Sequence, residues 1–179
     1  MKDFLVVCFL ILLTVLIAPR AVAQTPTNSG ELEKLSAFLG TWATKGEMRD
    51  TPYSKAQANI TSVLTCQWAP NHGFLICDQV IHTPAGANND LSVYTYNEST
   101  RQFSFFGIGR NDARARTPAL AIEGNTWTYL GGFDNGSKHI QFRTSNTFTN
   151  ARSIAWRSEY SEDGTHWMLM GEGTDSRED

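Results

Sequence analysis

The chain has 179 residues, with 15 Lys and Arg against 18 Asp and Glu, for a formal net charge of −3 at neutral pH. Acidic and basic residues are interspersed and no basic stripe occurs, which argues against nucleic acid as a partner. The four histidines, His72, His82, His139 and His166, lie in separate segments, so no close ligand pair marks a metal site. No Gly-x-Ser-x-Gly segment is present either, and no catalytic residue can be singled out.

The first residues read as an export signal. Lys2 opens a weak n-region beside an atypical Asp3, Phe4 to Ala18 is a continuous apolar run, and Pro19 breaks it. Ala21-Val22-Ala23 supplies the small residues that a signal peptidase needs. Residues 1–23 are therefore expected to be removed, leaving Gln24 at the new N-terminus. The apolar run has 15 residues, against roughly 20 for a spanning helix. Lys2, Arg20 and Asp3 leave with the segment, taking the net charge to −4. Nothing after residue 23 is apolar enough to span a membrane. The expected product is a soluble monomer, periplasmic or extracellular.

Residues 24–30 are a Thr, Pro, Asn, Ser and Gly lead, and residues 31–179 form one domain. Asn28 is placed to cap a helix with Glu31 as its capping-box partner. Leu32, Leu35, Phe38 and Leu39 fall on one helical face, and Gly40 stands at the expected C′ position. A helix of about two turns is stable only when its apolar stripe packs on something larger. Leu35, Phe38 and the nearby Trp42 are thus expected to plug one end of the structure.

From Thr41 the period changes to two. Strands are expected near 41–49, 56–68, 73–83, 90–97, 100–108, 114–123, 126–132, 138–148, 151–160 and 165–175. Turn residues separate them, among them Asn97-Glu98-Ser99, Gly124-Asn125, Asp134-Asn135-Gly136 and Asp163-Gly164. Short connections at near-even spacing predict consecutive hairpins, and hence an all-β, ten-stranded, up-and-down antiparallel barrel with one short capping helix.

Within the second and third strands, a loop at Pro70 to Gly73 sets Cys66 directly across from Cys77. Bridging is then feasible, and export makes it chemically permitted; the alternative is a pair of reduced, buried thiols. In the last hairpin an Asp163-Gly164 turn stacks Tyr160 on Trp167, Ser158 on Leu169 and Trp156 on Gly171. Trp68, Trp156, Tyr160 and Trp167 are candidates to line a cavity, or else to fill a core. Arg110, Arg114 and Arg116 flank Asn111-Asp112 between strands, as a clamp for an anionic head group or as a solvated loop. Alternation turns His139, Arg143, Arg157 and His166 outward.

The run Leu32-x-x-Leu35-x-x-Phe38-Leu39-Gly40-Thr41-Trp42 with Gly46-Glu47, together with Ser161-x-Asp163-Gly164-x-x-Trp167, Glu172 and Arg177, resembles the bacterial DUF1579 proteins. Thr65-Cys66-x-Trp68 and Cys77 are similar to that group as well. The resemblance spans residues 31–177 and implies a shape related to the calycins: lipocalins, fatty-acid-binding proteins and haem-binding nitrobindins. It implies that Trp42 packs across the closed end. Nitrobindin-like barrels hold haem through a histidine near the C-terminus, the region of His166, but the outward direction of His166 leads to the expectation of no cofactor. The Arg and Tyr set that holds a carboxylate in fatty-acid-binding barrels has no counterpart here. The reading is a barrel that binds a small apolar or amphipathic ligand. Its alternatives are an enzyme with a polar site at the barrel mouth, and a filled barrel acting as a cell-envelope interaction module.

Overall fold

The computed structural model describes residues 30–83, 86–110 and 115–178. The signal segment, residues 24–29 of the lead with Asn28 among them, and Arg114 lie outside the described residues. One α-helical turn, α1 (Gly30–Glu33), tightens into a 3-10 turn at Lys34–Phe38. Ten strands follow: β1 (Gly40–Met48), β2 (Gln57–Trp68), β3 (Leu75–Thr83), β4 (Gly86–Asn97), β5 (Gln102–Gly109), β6 (Ala119–Glu123), β7 (Thr126–Asn135), β8 (Lys138–Asn150), β9 (Ser153–Ser161) and β10 (Met168–Arg177). Each pairs antiparallel with the next, and β1 pairs with β10, so the sheet closes into a barrel with no free edge. Gly40 turns the chain from helix to strand at φ +95°, a conformation that L side chains rarely adopt.

Closure gives the barrel two unlike ends. One carries the helical turns and the loops after β2, β4, β6 and β8, and is packed solid. Leu35 and Trp42 are fully buried and Phe38 nearly so. The Phe38 ring meets Trp127 at 4.4 Å and Phe148 at 5.1 Å, both edge-on. The Trp42 indole donates to the Phe38 carbonyl at 2.9 Å. Arg177 lies over the Trp42 ring at 4.6 Å and donates to the Ala37 carbonyl at 2.9 Å. Trp42, Leu35 and Phe38 belong to one buried cluster at this end.

The β2–β3 hairpin also has the expected register. Cys66 is the partner of Cys77, and the two form a disulfide. The last hairpin does not. Tyr160 pairs with Met168 instead of Trp167, and a bulge after Leu169 shifts the pairing again, so that Ser158 faces Gly171 and Trp156 faces Gly173. The cause lies in the turn. Ser161 Oγ accepts from the Gly164 amide at 2.9 Å, and the Asp163 carboxylate accepts from the amides of Thr165 and His166, each at 2.8 Å. These bonds hold residues 161–166 as a loop wider than a two-residue hairpin. Trp167 is left on the outer face, with the Arg143 guanidinium 4.3 Å from its ring.

The sixth strand is shorter than expected. Pro118 has no amide hydrogen to give to a ladder, and pairing to β5 is reduced to Phe103–Leu120 plus a bridge between Gly107 and Arg116. No helix among the described residues is long and apolar enough to cross a membrane.

Candidate functional site

Between the plug and the open end lies a cavity of about 550 Å³. The Phe38 ring forms part of its floor, and alternate side chains from nearly every strand form its wall. Apolar groups include Met48, Ile60, Leu64, Ile81, Phe105, Phe142 and Trp156. Polar ones are as numerous: Thr44, Ser62, Gln79, Asp90, Ser92, Arg116, Thr144, Asn146, Ser158 and Asp175. The wall is amphipathic, not purely apolar.

Most of these polar groups answer one another. Gln79 Nε2 donates to Ser62 Oγ at 2.9 Å, and the Thr144 and Ser158 hydroxyls lie 2.8 Å apart. Arg116 Nη2 is paired with Asp90 Oδ2, whose other oxygen accepts from Asn88 Nδ2 at 2.8 Å. The Tyr129 hydroxyl donates weakly to that of Tyr94 at 3.4 Å. Burial pushes both phenols up, Tyr94 to about 12 and Tyr129 well above its ordinary value. They remain neutral hydrogen-bonding groups at any physiological pH.

Two lining atoms are left over. Asp175 Oδ1 and Trp156 Nε1 are buried and have no hydrogen-bond partner. Asp175 is 7 % exposed, and removal from water raises its pKa to about 6, against a smaller opposing hydrogen bond from Thr44. Trp156 lies flat against β1 and β10, because Gly46 and Gly173 have no Cβ where its ring passes.

The candidates named from the sequence are divided by this geometry. Trp156 and Arg116 line the cavity. Tyr160 is buried near the mouth, its ring edge-on to Tyr53 at 5.0 Å. Trp68 stacks on His72 at 5.8 Å and packs against the plugged-end core. Trp167 stands outside, as above. Arg110 is exposed and borders a shallow outer depression with Asp78 and Leu91, apart from Arg116. Arg110 and Arg116 thus border different depressions, which share Asp90. His139 and His166 are exposed and held by Asp134 and Asp163, at 2.7 and 2.6 Å. Asp175 was missed in the sequence. Its strand, Met-Leu-Met-Gly-Glu-Gly-Thr-Asp-Ser-Arg, has no large apolar residue from Gly171 onward to mark which face is inside.

The open end is bordered by a second cluster. The Tyr53 hydroxyl donates to Glu162 at 2.6 Å, and Lys138 Nζ donates to the other Glu162 oxygen at 2.6 Å. The bond to Glu162 raises the Tyr53 pKa to about 12, while Lys138 and Tyr53 hold Glu162 below the usual carboxylate range. Three loops that reach the mouth are joined in this way.

A closed ten-stranded barrel, plugged at one end and hollow toward the other, is the class of protein these features define. No protein-family profile matches the chain, and no curated protein sequence matches it. Among solved structures it is similar to Rv2717c of M. tuberculosis, at 11 % identity and a TM-score of 0.59 over 84 % of this chain and 99 % of that one. It is also similar to the S-type phycobiliprotein lyase CPES of Guillardia theta, at 9 % identity and a TM-score of 0.58 over 87 % and 96 %. At such identities the likeness is one of fold.

Proposed function

We propose that this protein is an exported, monomeric carrier or sensor that holds a small amphipathic molecule inside the barrel, and that it is a member of the DUF1579 group. The observation that carries the reading is the cavity of about 550 Å³ above the Phe38 floor, walled by apolar and polar side chains together. That volume lies within the range of small-molecule sites, roughly 300–1,000 Å³. Such a wall suits a ligand with a hydrocarbon body and one polar head better than a wholly apolar one. Native mass spectrometry of protein purified from its own host tests this directly. A co-purifying mass that leaves under denaturing conditions is expected, and uniformly empty protein that also fails to take up any amphiphile overturns the reading. Free-thiol titration of the exported protein, with no thiols reactive until reduction, checks the compartment.

One observation favours a second reading, that of an enzyme. A carboxyl group with its pKa near 6 inside a cavity is poised for general acid–base work, and one barrel of similar fold is a phycobiliprotein lyase. Here the expected result is product release from a bound ligand, abolished by Asp175→Asn with binding retained.

A further inference from the structure

The carrier reading leaves the ligand's chemistry open, and the two unanswered atoms in the wall narrow it. Buried polar atoms almost always have a partner, since leaving one unpaired costs about 1–3 kcal/mol. In this wall the rule holds for Gln79, Ser62, Thr144, Ser158, Asp90 and Arg116, and fails at Asp175 Oδ1 and Trp156 Nε1. The two sit close in the sheet. Asp175 on β10 is the partner of Ile154, and Trp156 lies two residues further along the same strand, facing Gly173. One is an acceptor that carries negative charge when ionised. The other is a donor on an aromatic ring.

The charge balance points the same way. Arg116 is the basic residue among those lining the cavity, and it is committed to Asp90. Arg177, two residues beyond Asp175, lies over the Trp42 ring and donates through Nη2 to the Ala37 carbonyl; its Nε is buried without a partner, and it is not among the causes that shift the Asp175 pKa. Among the described residues, Asp175 is thus a buried carboxyl group with no cation paired to it. Around the cavity stand the faces and edges of Trp156, Tyr94, Tyr129, Phe105 and Phe142, and aromatic faces attract desolvated cations. An anionic head group would meet a carboxyl group here, with the nearest guanidinium already neutralised.

We propose that the cavity takes a protonated amine attached to an apolar body: Asp175 Oδ1 accepts its N–H, and Trp156 Nε1 donates to an oxygen placed near that nitrogen. This inference rests on the carrier reading and adds the ligand class. No covalent step is involved. The amine supplies the countercharge that the protein withholds, so Asp175 is ionised in the complex even though burial favours its neutral form when the site is empty.

Calorimetric titration of the full mature chain with octylamine, octanol and octanoate at pH 7 tests the idea, because the three share a body and differ in the head. Octylamine is expected to bind at least tenfold more tightly than either of the others. Asp175→Asn should remove that advantage while leaving octanol unchanged. A measurement on the unmutated protein does not depend on the variant's folding. Burial raises the pKa of Asp175 to about 6 when free, so octylamine binding around that pH should release a fraction of a proton and octanol binding none, read from heats in two buffers of different ionisation enthalpy. The titratable groups that line the cavity with Asp175 are Tyr94 and Tyr129, neutral throughout, and the Asp90–Arg116 pair. Equal affinities for the three, preference for octanoate, or no proton release would overturn the amine inference and leave the container intact. If none of the three binds and a fluorescent amphiphile is also excluded, the carrier reading falls with it.

Discussion

Asp175 shows how one residue trades stability for a site. Its carboxyl group stands at the end of a strand, is closed off from water, and keeps one oxygen unsatisfied. An acid whose folded pKa is about 6 and whose unfolded value is near 3.8 binds more protons folded than unfolded between those limits. Its contribution to stability is therefore complete below about pH 4 and is lost as the pH rises through about 6. Two pH units of difference correspond to at most about 3 kcal/mol. Asparagine has no charge to desolvate, so Asp175→Asn should leave stability near pH 4 almost unchanged and raise it by about 1–2 kcal/mol at pH 8. Urea denaturation of both proteins at the two pH values checks this. A variant less stable at pH 8 would mean that Thr44 and its surroundings satisfy the carboxylate after all. Glu159 on the outer face has the opposite sign. Its burial opposes ionisation, but hydrogen bonds from Arg143, at 2.6 and 3.0 Å, and from Arg157, at 3.0 Å, outweigh that and lower its pKa. It stabilises the fold above the unfolded carboxylate pKa and ceases to do so as the pH falls.

At the scale of strands, the placement of glycines decides what the barrel can hold. Gly46, Gly171 and Gly173 lie side by side where β1 meets β10. A Cβ on Gly46 or Gly173 would run into the Trp156 indole, and one on Gly171 would run into the sulfur of Met48. Gly46→Ala, whose Cβ would meet the indole first and the Glu172 carbonyl oxygen next, should therefore tilt the indole into the cavity and strain the β1–β10 seam, with a stability cost of at least about 1–3 kcal/mol from overpacking. The accompanying signature is a shifted Trp emission and weaker amphiphile binding; unchanged binding would separate Trp156 from the ligand. This feature also marks the limit of what the sequence made legible. The β2–β3 hairpin could be read in full, since apolar alternation and a Pro-Gly turn fix one register, and the Cys66–Cys77 disulfide follows from it. With the bond closing a loop of 11 residues, reduction should cost about 2–3 kcal/mol, visible as a lower urea midpoint. The β9–β10 hairpin looked equally clear and was misplaced. Asp163-Gly164 has the composition of a two-residue turn, but the Ser161 hydroxyl and the Asp163 carboxylate hold a wider loop through side-chain hydrogen bonds that composition does not reveal. A shift of one residue exchanges the faces of a strand, which is why Trp167 moved outside.

For the whole molecule, the barrel and its plug were legible because both rest on patterns of the entire chain: a period of two sustained over ten strands, and one apolar helical stripe. The contents of the barrel were not, because a cavity wall is built from one or two residues of each strand, and the polar groups that matter there resemble surface residues in sequence. The same asymmetry governs how the two ends should respond to change. At the plugged end Trp42 is fully buried between Phe38, Phe148 and Arg177. Trp42→Ala should cost about 3–5 kcal/mol of stability. At the open end, among the described residues, the ties are exposed and polar. Tyr53 joins Glu162, Glu162 joins Lys138, and the Tyr53 ring touches Phe133 and Tyr160 edge-on at 5.9 and 5.0 Å. Tyr53→Phe keeps the ring contacts and removes one hydrogen bond to a charged group. Because the loops on both sides are solvent-exposed, the loss in stability should be small. Its consequence should be kinetic. If ligands enter and leave between these loops, untying one of them lowers the barrier in both directions, so association and dissociation both quicken several-fold while their ratio changes little. Stopped-flow exchange of a fluorescent amphiphile in the wild type and Tyr53→Phe would resolve this. Equal rates would place the route elsewhere on the barrel, and the sparsely paired seam between β5 and β6 is then the next wall to loosen.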